Sequence, residues 1–297
     1  METNNSKSTS RTEPVINGKA LYSPKGAARE YAAVGCNIYT GCKHDCQYCY
    51  LKRGVLSHVM GGTEIKLKSC FRDEDDAVMT FCKEIDKHRE YLQKVGIFFS
   101  FSTDPLIKET RDVTKCCIIQ ANIRYIPVKL LTKNADFIDD DVFMSWMMSE
   151  DVKRTVAFGF TLTGRDDMEP NASPNQARIA AMKRLHDMGF KTFASIEPII
   201  DFDNSFKMIE QSAGFCDLFK IGLRSGVKKD YYKPEECAYF IGKVTGLCDR
   251  IGFKVYWKES IRKYMKALDN KDGFMCAFEL SENFVSRDYN IFKNTDL

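Results

Sequence analysis

Short apolar runs alternate with amphipathic helical patterns from Ala32 onward, and this order limits the fold more than any other feature of the chain. Apolar runs bounded by turn residues are typical of buried strands, and their alternation with helices indicates βα units around a parallel sheet. The predicted strands are residues 34–39, 95–101, 128–131, 155–162, 191–196 and 217–221, with 254–257 as a seventh strand or an edge. We therefore expect an α/β fold, a partial or full TIM-like barrel, and specifically a partial (β/α)6 barrel.

Helices are predicted where apolar residues recur at helical spacing. The clearest start lies at Ser173, a good N-cap residue that is followed by Pro174 at the first helical position. Gln176 completes a capping box with Ser173, and Gly189 ends the helix. The other predicted helices are residues 73–94, 110–125, 139–149 and 204–213, and a helix that begins at Pro234.

The composition indicates a chain that can bury a large core. It has 297 residues, of which 44% are hydrophobic, and no apolar run approaches the roughly 18 residues of a membrane span. We expect a disordered N-terminal tail and lead-in over residues 1–28 and a barrel domain over residues 29–270. A Phe-rich extension over residues 271–297 is expected to pack on the barrel; it contains Phe274, Phe278, Phe284 and Phe292.

Cysteine usage and the polar start of the chain predict a cytoplasmic protein without membrane association. Residues 1–13 lack the apolar segment of a secretory signal. Twelve cysteines without such a signal favour a reducing compartment over a disulfide framework. The net charge of +3 is balanced, so it neither requires nor excludes nucleic acid as a partner.

Three cysteines, Cys42, Cys46 and Cys49, lie at C-x3-C-x2-C spacing directly after the first predicted strand. Three thiolates can hold three irons of a [4Fe–4S] cluster and leave the fourth iron without a protein ligand, whereas electron carriers supply four cysteines. In barrels of this type the chemistry lies at the carboxyl ends of the strands, where this loop begins. The spacing therefore favours a cluster that takes part in chemistry.

Zinc is the main alternative metal for this loop. A structural zinc site needs four ligands, and Cys36 or His44 could supply the fourth. Zinc sites usually pair their ligands two and two, but the next cysteines, Cys116 and Cys117, are adjacent and lie in a predicted helix. A third reading is three buried structural cysteines, although this polar segment with its glycine would make a poor core.

The cysteine motif resembles that of the radical S-adenosylmethionine (SAM) superfamily, which has an aromatic residue before the last cysteine, where Tyr48 lies. The resemblance implies the partial barrel of that superfamily and a [4Fe–4S] cluster on Cys42, Cys46 and Cys49. It implies that SAM chelates the open iron and is cleaved reductively to methionine and a 5′-deoxyadenosyl radical, which takes a hydrogen atom from the substrate. It also implies an electron donor similar to flavodoxin or ferredoxin.

More closely, the chain resembles the spore photoproduct lyase-like branch, often labelled DNA repair photolyase-like. Matching segments occur in the order of that branch: 37–42, 48–50, 102–105, 131–133, 169–170 and 195–198. The branch implies a nucleic acid or nucleotide substrate. The lyase is expected to use a further cysteine near the end of strand two as hydrogen donor, but residues 98–104 contain none. Repair of a thymine dimer by the same route is therefore not expected.

The resemblance also assigns roles to residues near the cluster. Tyr48 is expected to pack near the adenine of SAM, because stacking on a base needs only a flat ring. Thr103 and Asp104 end strand two, where family members position the SAM amino group, although Asp before Pro is also a common turn signal. Lys133 ends strand three and is expected to pair with the SAM carboxylate; the alternative is a solvated lysine.

Later strand ends supply the remaining candidates. Thr161 and Thr163 end strand four, where hydroxyls could bind the ribose or be ordinary strand residues. Glu197 ends strand five on an apolar run, where a carboxylate needs a partner, so a contact with SAM or substrate is expected. Three basic residues after strand six could contact an anionic substrate or form a solvated charged surface: Arg224, Lys228 and Lys229.

Three functions remain open on these residues. The first is a radical SAM enzyme that acts on a nucleic acid or nucleotide, a substrate that rests on the branch alone because fold and cofactor do not determine it. The second is a radical SAM enzyme that modifies a peptide or protein. The third is a non-catalytic module that binds zinc or an iron–sulfur cluster.

Overall fold

An eight-stranded sheet forms the centre of the computed structural model, which describes residues 13–54, 56–228, 230–272 and 281–293. Its strand order is β1-β2-β5-β6-β7-β8-β9-β10, with β1 antiparallel to β2 and all other neighbouring pairs parallel. A second, two-stranded sheet pairs β3 with β4. The strands are β1 Leu21–Tyr22, β2 Gly35–Cys36, β3 Tyr39–Thr40, β4 Lys66–Leu67, β5 Ile97–Phe99, β6 Val128–Thr132, β7 Val156–Thr161, β8 Lys191–Ile199, β9 Leu218–Leu223 and β10 Lys254–Trp257.

Among the described residues, three α-helices precede β5, α-helices connect the successive parallel strands from β5 to β10, and one α-helix follows β10. They are α1 Leu56–Met60, α2 Glu74–Lys87, α3 Arg89–Val95, α4 Lys108–Asn122, α5 Asp141–Met147, α6 Glu150–Thr155, α7 Asn175–Asp187, α8 Phe202–Ser212, α9 Pro234–Ile251 and α10 Glu259–Asp272. The mixed α/β fold with a mostly parallel sheet is confirmed, while curvature into a partial barrel stays a prediction. No helix in the described ranges is long and apolar enough to cross a membrane.

The predicted first strand, residues 34–39, is wrong as a single element. The chain leaves the main sheet after Cys36, because Asn37 bonds outside the strand ladder. Its backbone N–H donates to Ala20 (3.0 Å), and its side-chain oxygen accepts from the Phe101 N–H (2.9 Å). Tyr39 and Thr40 then pair with β4, so the small second sheet carries the cysteines.

The predicted capping box at residue 173 is also wrong. Helix α7 begins at Asn175, whose N–H donates to the Asp166 carboxylate at 2.8 Å. The Ser173 hydroxyl instead accepts from the Ala135 N–H at 2.8 Å, and the Gln176 amide donates to Gln211 at 2.8 Å. A carboxylate from the preceding loop therefore caps this helix, and Ser173 ties it to the end of β6.

Two further predicted helices are each divided into two elements. Residues 73–94 form two helices rather than one, because His88 leaves the helical conformation with φ −116° and ψ 18°. Residues 139–149 contain a short helical turn at Asp136–Asp139 and then α5, which Asp140 caps by accepting from the Phe143 N–H at 3.0 Å.

The two faces of the sheet bury different sets of residues, as the alternation of side chains along a strand requires. One face packs on the helices through large apolar side chains such as Phe99, Leu130 and Phe158. The other face packs on the chain ends, and its cluster is Ala32, Phe98, Ala157, Phe193, Leu218, Tyr256, Ile291 and Phe292. Burial on both faces explains why the strands read as continuous apolar runs.

Both chain ends complete the sheet where the structure describes them. In the predicted lead-in, Leu21–Tyr22 forms β1 and pairs with β2, so the sheet includes part of that segment. In the extension, Phe284 packs on Trp257 with ring centroids 5.7 Å apart, and Phe292 is buried. The predicted disorder of residues 1–12, and Phe274 and Phe278, lie outside the described residues.

Candidate cofactor site

The cysteine loop, residues 41–50, lies against the edge of the sheet where the parallel strands end. Its Gln47 N–H donates to the Met168 carbonyl (2.9 Å), after β7, and Asn171 donates to its Lys43 carbonyl (3.0 Å). Thr103, Asp104 and Lys133 follow β5 and β6 on the same edge. The structure thus brings the loop together with the predicted strand-end residues.

Asp104 joins the cysteine loop to β5 and β6. It is buried and accepts hydrogen bonds from His44 Nε2 (2.7 Å), the Thr132 hydroxyl (2.7 Å), and the backbone N–H groups of Lys133 (2.8 Å) and Leu106 (2.9 Å). Burial alone raises the pKa of this carboxyl, but His44 and the donated hydrogen bonds lower it below its usual value. The observed partners make Asp104 a positioning group; its predicted contact with SAM stays a prediction.

Thr103, the neighbouring residue, has a buried hydroxyl that finds no hydrogen-bond partner in the described part of the chain. A buried polar group left unsatisfied costs about 1–3 kcal/mol, so such groups call for a partner. This orphaned Oγ1 next to the loop is a position at which a bound polar ligand would be stabilised.

Lys133 presents a cation to the cysteine loop. Its Nζ lies 5.5 Å from the ring centroid of Tyr48, and no ion pair joins it to a carboxylate among the described residues. Burial lowers the pKa of this amine, but the negative charges that Cys46, Glu169 and Cys42 carry when ionised outweigh burial and raise it. A charged amine at this position suits a thiolate-bound cluster or an anionic ligand.

Tyr48 is held from behind by a buried ion pair. Its hydroxyl donates to Glu169, and Glu169 pairs with Arg178 of helix α7. Arg178 also donates to the carbonyls of Thr161 (2.6 Å) and Ser173 (2.7 Å), and its side chain is fully buried. Tyr48 thus has a fixed place between this pair and the Lys133 amine.

The three cysteines differ in surroundings. Cys46 is buried and packs with Tyr48 and Ile200, while Cys49 is half-buried against this group. Burial raises the pKa of the Cys42 thiol to about 12, and it also raises that of Cys46. A metal that binds here must therefore displace protons from buried thiols.

A single zinc ion and a cluster require different arrangements of the donor residues. In the described ranges, no three His, Cys, Asp or Glu residues are placed to hold one metal ion. A [4Fe–4S] cube places each thiolate on a different iron, so its cysteines need not converge on one point. Both proposed fourth zinc ligands are also engaged elsewhere: His44 uses Nε2 on Asp104 and Nδ1 near the Asn171 carbonyl (3.2 Å), and Cys36 lies in the core.

Thr161 and Thr163 form hydrogen bonds mainly through their backbone groups. The Thr161 carbonyl accepts from Arg178. The Thr163 hydroxyl accepts from the Arg165 N–H at 3.2 Å, and its N–H donates to Asn175 at 3.0 Å. Their contact with a ribose stays a prediction.

Glu197 has a partner that the sequence analysis missed. Its Oε2 accepts hydrogen bonds from the Tyr31 hydroxyl (2.9 Å) and from Lys258, whose side chain is fully buried. Tyr31 also lies 2.7 Å from the Ser195 hydroxyl. The carboxylate therefore belongs to a polar network on the sheet face that the chain ends cover.

The basic residues after β9 differ in burial, and their contact with a substrate stays a prediction. The Nε of Arg224 is buried and has no hydrogen-bond partner among the described residues. Lys228 is exposed, and Lys229 lies outside the described residues. A guanidinium N–H that has no partner among the described residues can donate a hydrogen bond to an anionic ligand.

The residues of this site that the sequence analysis missed include Arg178, Lys258 and Ile200. Arg178 left a signal, since it shares the face of α7 that buries Ile179, Met182 and Leu185. A charged residue on an apolar helix face requires a buried partner. Neither Lys258 nor Ile200 carries such a signal.

Comparison with known proteins gives a distant relative and a shared fold. No family model matches the chain. An uncharacterised protein of Methanocaldococcus jannaschii is 28% identical over 166 residues, or 55% of this chain and 59% of that protein. The chain thus spans about three fifths of the length of this curated relative.

Solved structures of SuiB from Streptococcus suis resemble the chain. One superimposes with a TM-score of 0.52 at 11% identity, over 80% of this chain and 52% of SuiB. The form bound to precursor peptide SuiA gives 0.51 at 11% identity, over 75% and 48%. The form bound to S-adenosylmethionine gives 0.49. At this identity the first two matches show that the chain has the fold of about half of SuiB.

Proposed function

We propose that this chain is a radical SAM enzyme with a [4Fe–4S] cluster on Cys42, Cys46 and Cys49. The observation that carries the proposal is the cysteine loop at the carboxyl edge of a parallel sheet, beside the Lys133 amine and the orphaned Thr103 hydroxyl. Bound together, the cluster and SAM supply a 5′-deoxyadenosyl radical. The shared fold with SuiB supports the proposal, and the sheet is proposed to curve as a partial (β/α)6 barrel.

The chain's own residues bind and orient SAM in this proposal. Lys133 pairs with its carboxylate, because this amine lies beside the loop and forms no ion pair with a carboxylate among the described residues. Thr103 bonds the amino group, since its hydroxyl lacks a partner among the described residues. Tyr48 offers its ring to the adenine while Glu169 fixes its hydroxyl.

The remaining predicted contacts are kept as parts of the proposal. Thr161 and Thr163 lie near the ribose, and Asp104, which holds the loop through His44, lies with Thr103 near the SAM amino group. Glu197, with Lys258 and Tyr31, faces the substrate. A cytoplasmic protein of the flavodoxin or ferredoxin kind supplies the electron.

A peptide is the substrate class that we favour over nucleic acid. SuiB, which shares the fold, has been solved with a precursor peptide, whereas the nucleic-acid reading rests on the lyase-like resemblance. A fold determines the cofactor chemistry better than it determines the substrate, so the substrate class is tested by an experiment of its own.

The direct test is formation of 5′-deoxyadenosine. The protein is purified anaerobically, reconstituted with iron and sulfide, reduced with dithionite and given SAM. We expect deoxyadenosine from the native chain and from Cys116→Ala, a matched loss of an exposed cysteine outside the loop. Cys42→Ala is expected to lose it. No product from the reconstituted native protein, or equal loss in both variants, would count against the proposal.

The same assay separates the substrate classes. Peptide mixtures and single-stranded oligonucleotides are added in parallel to the reduced protein. A peptide that raises deoxyadenosine formation supports the favoured substrate class. Stimulation by oligonucleotides alone would instead support a nucleic acid substrate, as the lyase-like resemblance implies.

A further inference from the structure

Arg224 is the first residue after β9, at the edge of the sheet where the parallel strands end. Its side chain is half-buried, so a ligand can reach it from solvent. Its Nε is buried and has no hydrogen-bond partner, and no ion pair joins its guanidinium to a carboxylate among the described residues. A buried donor without an acceptor is unfavourable, so this N–H calls for a ligand that accepts a hydrogen bond.

Two contacts hold the chain around Arg224 against the cysteine loop. Arg53, which follows the loop, donates to the Ser225 carbonyl at 2.9 Å. On the other side, β8 pairs with β9, and Ile200 at the end of β8 packs with Cys46 of the loop. A group bound at Arg224 therefore lies next to the residues that would carry the chemistry.

The position of Arg224 in the sheet separates it from the amine assigned to SAM. Lys133 follows β6, and β9 lies three strands away from β6 in the sheet. Neighbouring strands are about 4.8 Å apart, so the ends of β6 and β9 are about 14 Å apart along the sheet. A Cβ on Gly222 would lie 2.8 Å from Glu197 Oε1, and the alternation of a strand puts Arg224, two residues later, on the same face. Arg224 thus suits an anionic group of the substrate rather than the SAM carboxylate.

Other charges in this region largely balance one another, so Arg224 adds a single unmatched cation. Ion pairs on the neighbouring elements join Glu197 with Lys258, Asp201 with Arg165, and Glu236 with Lys233. Charges without an ion-pair partner among the described residues include the cations Arg53, Lys228 and Lys243 and the carboxylates Asp203, Asp230 and Glu235. Nucleic acid is bound by many cations along its backbone, so this balance favours one carboxylate over a chain of phosphates.

We propose that Arg224 binds the carboxylate of an acidic side chain in a peptide substrate and so places that peptide beside the cysteine loop. The proposal rests on the peptide chemistry proposed above and names a side chain that the peptide carries. A guanidinium can hold a carboxylate through two parallel N–H···O bonds. In such a pair the buried Nε–H gains the acceptor that the described residues do not supply.

Binding of short peptides with blocked ends tests this proposal without the radical reaction. The protein with its reconstituted cluster and SAM, but without reductant, is titrated by ligand-observed NMR with acetyl-Gly-Ser-Glu-Ser-Gly-amide. A second peptide has glutamine in place of glutamate, which keeps the length and removes the charge. SAM engages the Lys133 amine in this experiment, so the glutamate does not bind there. We expect the glutamate peptide to bind about fivefold or more tightly, because charge-assisted hydrogen bonds are the stronger ones.

Variants of Arg224 test whether this residue causes the preference. Arg224→Gln should bring the two affinities to within about twofold of each other. Arg224→Lys keeps the cation without the planar fork and should retain part of the preference, which shows that a loss in Arg224→Gln is not unfolding. Arg250→Gln is the control, on an exposed arginine in the last turn of α9, about 24 Å along that helix from its first residue. At about 0.1 M salt the screening length is about 10 Å, so the control should keep the full preference.

The outcomes are separable from those of the cofactor proposal. Equal binding of the two peptides, or equal effects of Arg224→Gln and Arg250→Gln, would overturn the carboxylate site even if deoxyadenosine is formed. Tighter binding of a single-stranded oligonucleotide that only Arg224→Gln weakens would assign Arg224 to phosphate groups and would also overturn it. Absence of deoxyadenosine alongside a preference for glutamate that depends on Arg224 would instead remove the radical chemistry and leave the binding site intact.

Discussion

Arg178 shows how one buried charge orders the candidate site. It donates to two carbonyls and to Glu169, and Glu169 in turn accepts from Tyr48. Breaking a buried pair leaves an uncompensated charge, which costs far more than breaking a surface pair. The family resemblance predicted Tyr48 as a site residue, but its partner Glu169 lies in a loop more than a hundred residues later in the chain, and Arg178 lies in the helix that follows.

Arg178→Met tests this at the residue scale. The variant leaves Glu169 buried without its cation, so we expect the free energy of unfolding to fall by about 3–5 kcal/mol. Arg184→Met on the same helix breaks an exposed pair with Asp139 and should cost less than about 1 kcal/mol. Urea denaturation followed by circular dichroism measures both. Similar losses in the two variants would show that the buried pair does not hold the site.

At the scale of elements, the order of strands and helices followed from periodicity, while their ends did not. Parallel strands β5 to β10 occur as predicted, because continuous apolar runs indicate strands buried on both faces. The first strand and the start of α7 differ from the prediction, because Asn37 and Asp166 form hydrogen bonds with residues that are not adjacent to them in sequence. Periodicity carries no information about such contacts.

The start of the cysteine loop gives the prediction at this scale. Gly41 has φ +84°, and a Cβ at this position would lie 2.0 Å from the Glu64 carbonyl oxygen. Gly41→Ala should therefore displace the loop and sharply reduce the iron retained after reconstitution. Gly54→Ala is the control, since Gly54 has φ +61° but nothing within 4 Å of its Cβ position. Equal iron retention in the two variants would contradict the need for close approach at Gly41.

At the scale of the whole molecule, the sheet gathers distant segments at one edge. That edge was predictable, because parallel strands end together and the motif begins after the first of them. The contacts that hold the segments together were not predictable. Lys258 bonds to Glu197 and Ile200 packs on Cys46, and no local sequence pattern connects these segments.

Electron paramagnetic resonance of the reduced protein tests the central claim most directly. After anaerobic reconstitution and reduction, spectra are recorded with and without SAM for the native chain and for Cys42→Ala. The account predicts a [4Fe–4S]⁺ signal in the native chain. SAM is expected to shift this signal, because one iron lacks a protein ligand. Cys42→Ala is expected to lose the signal. Bound zinc in place of iron, or a cluster signal that SAM leaves unchanged, would contradict the account.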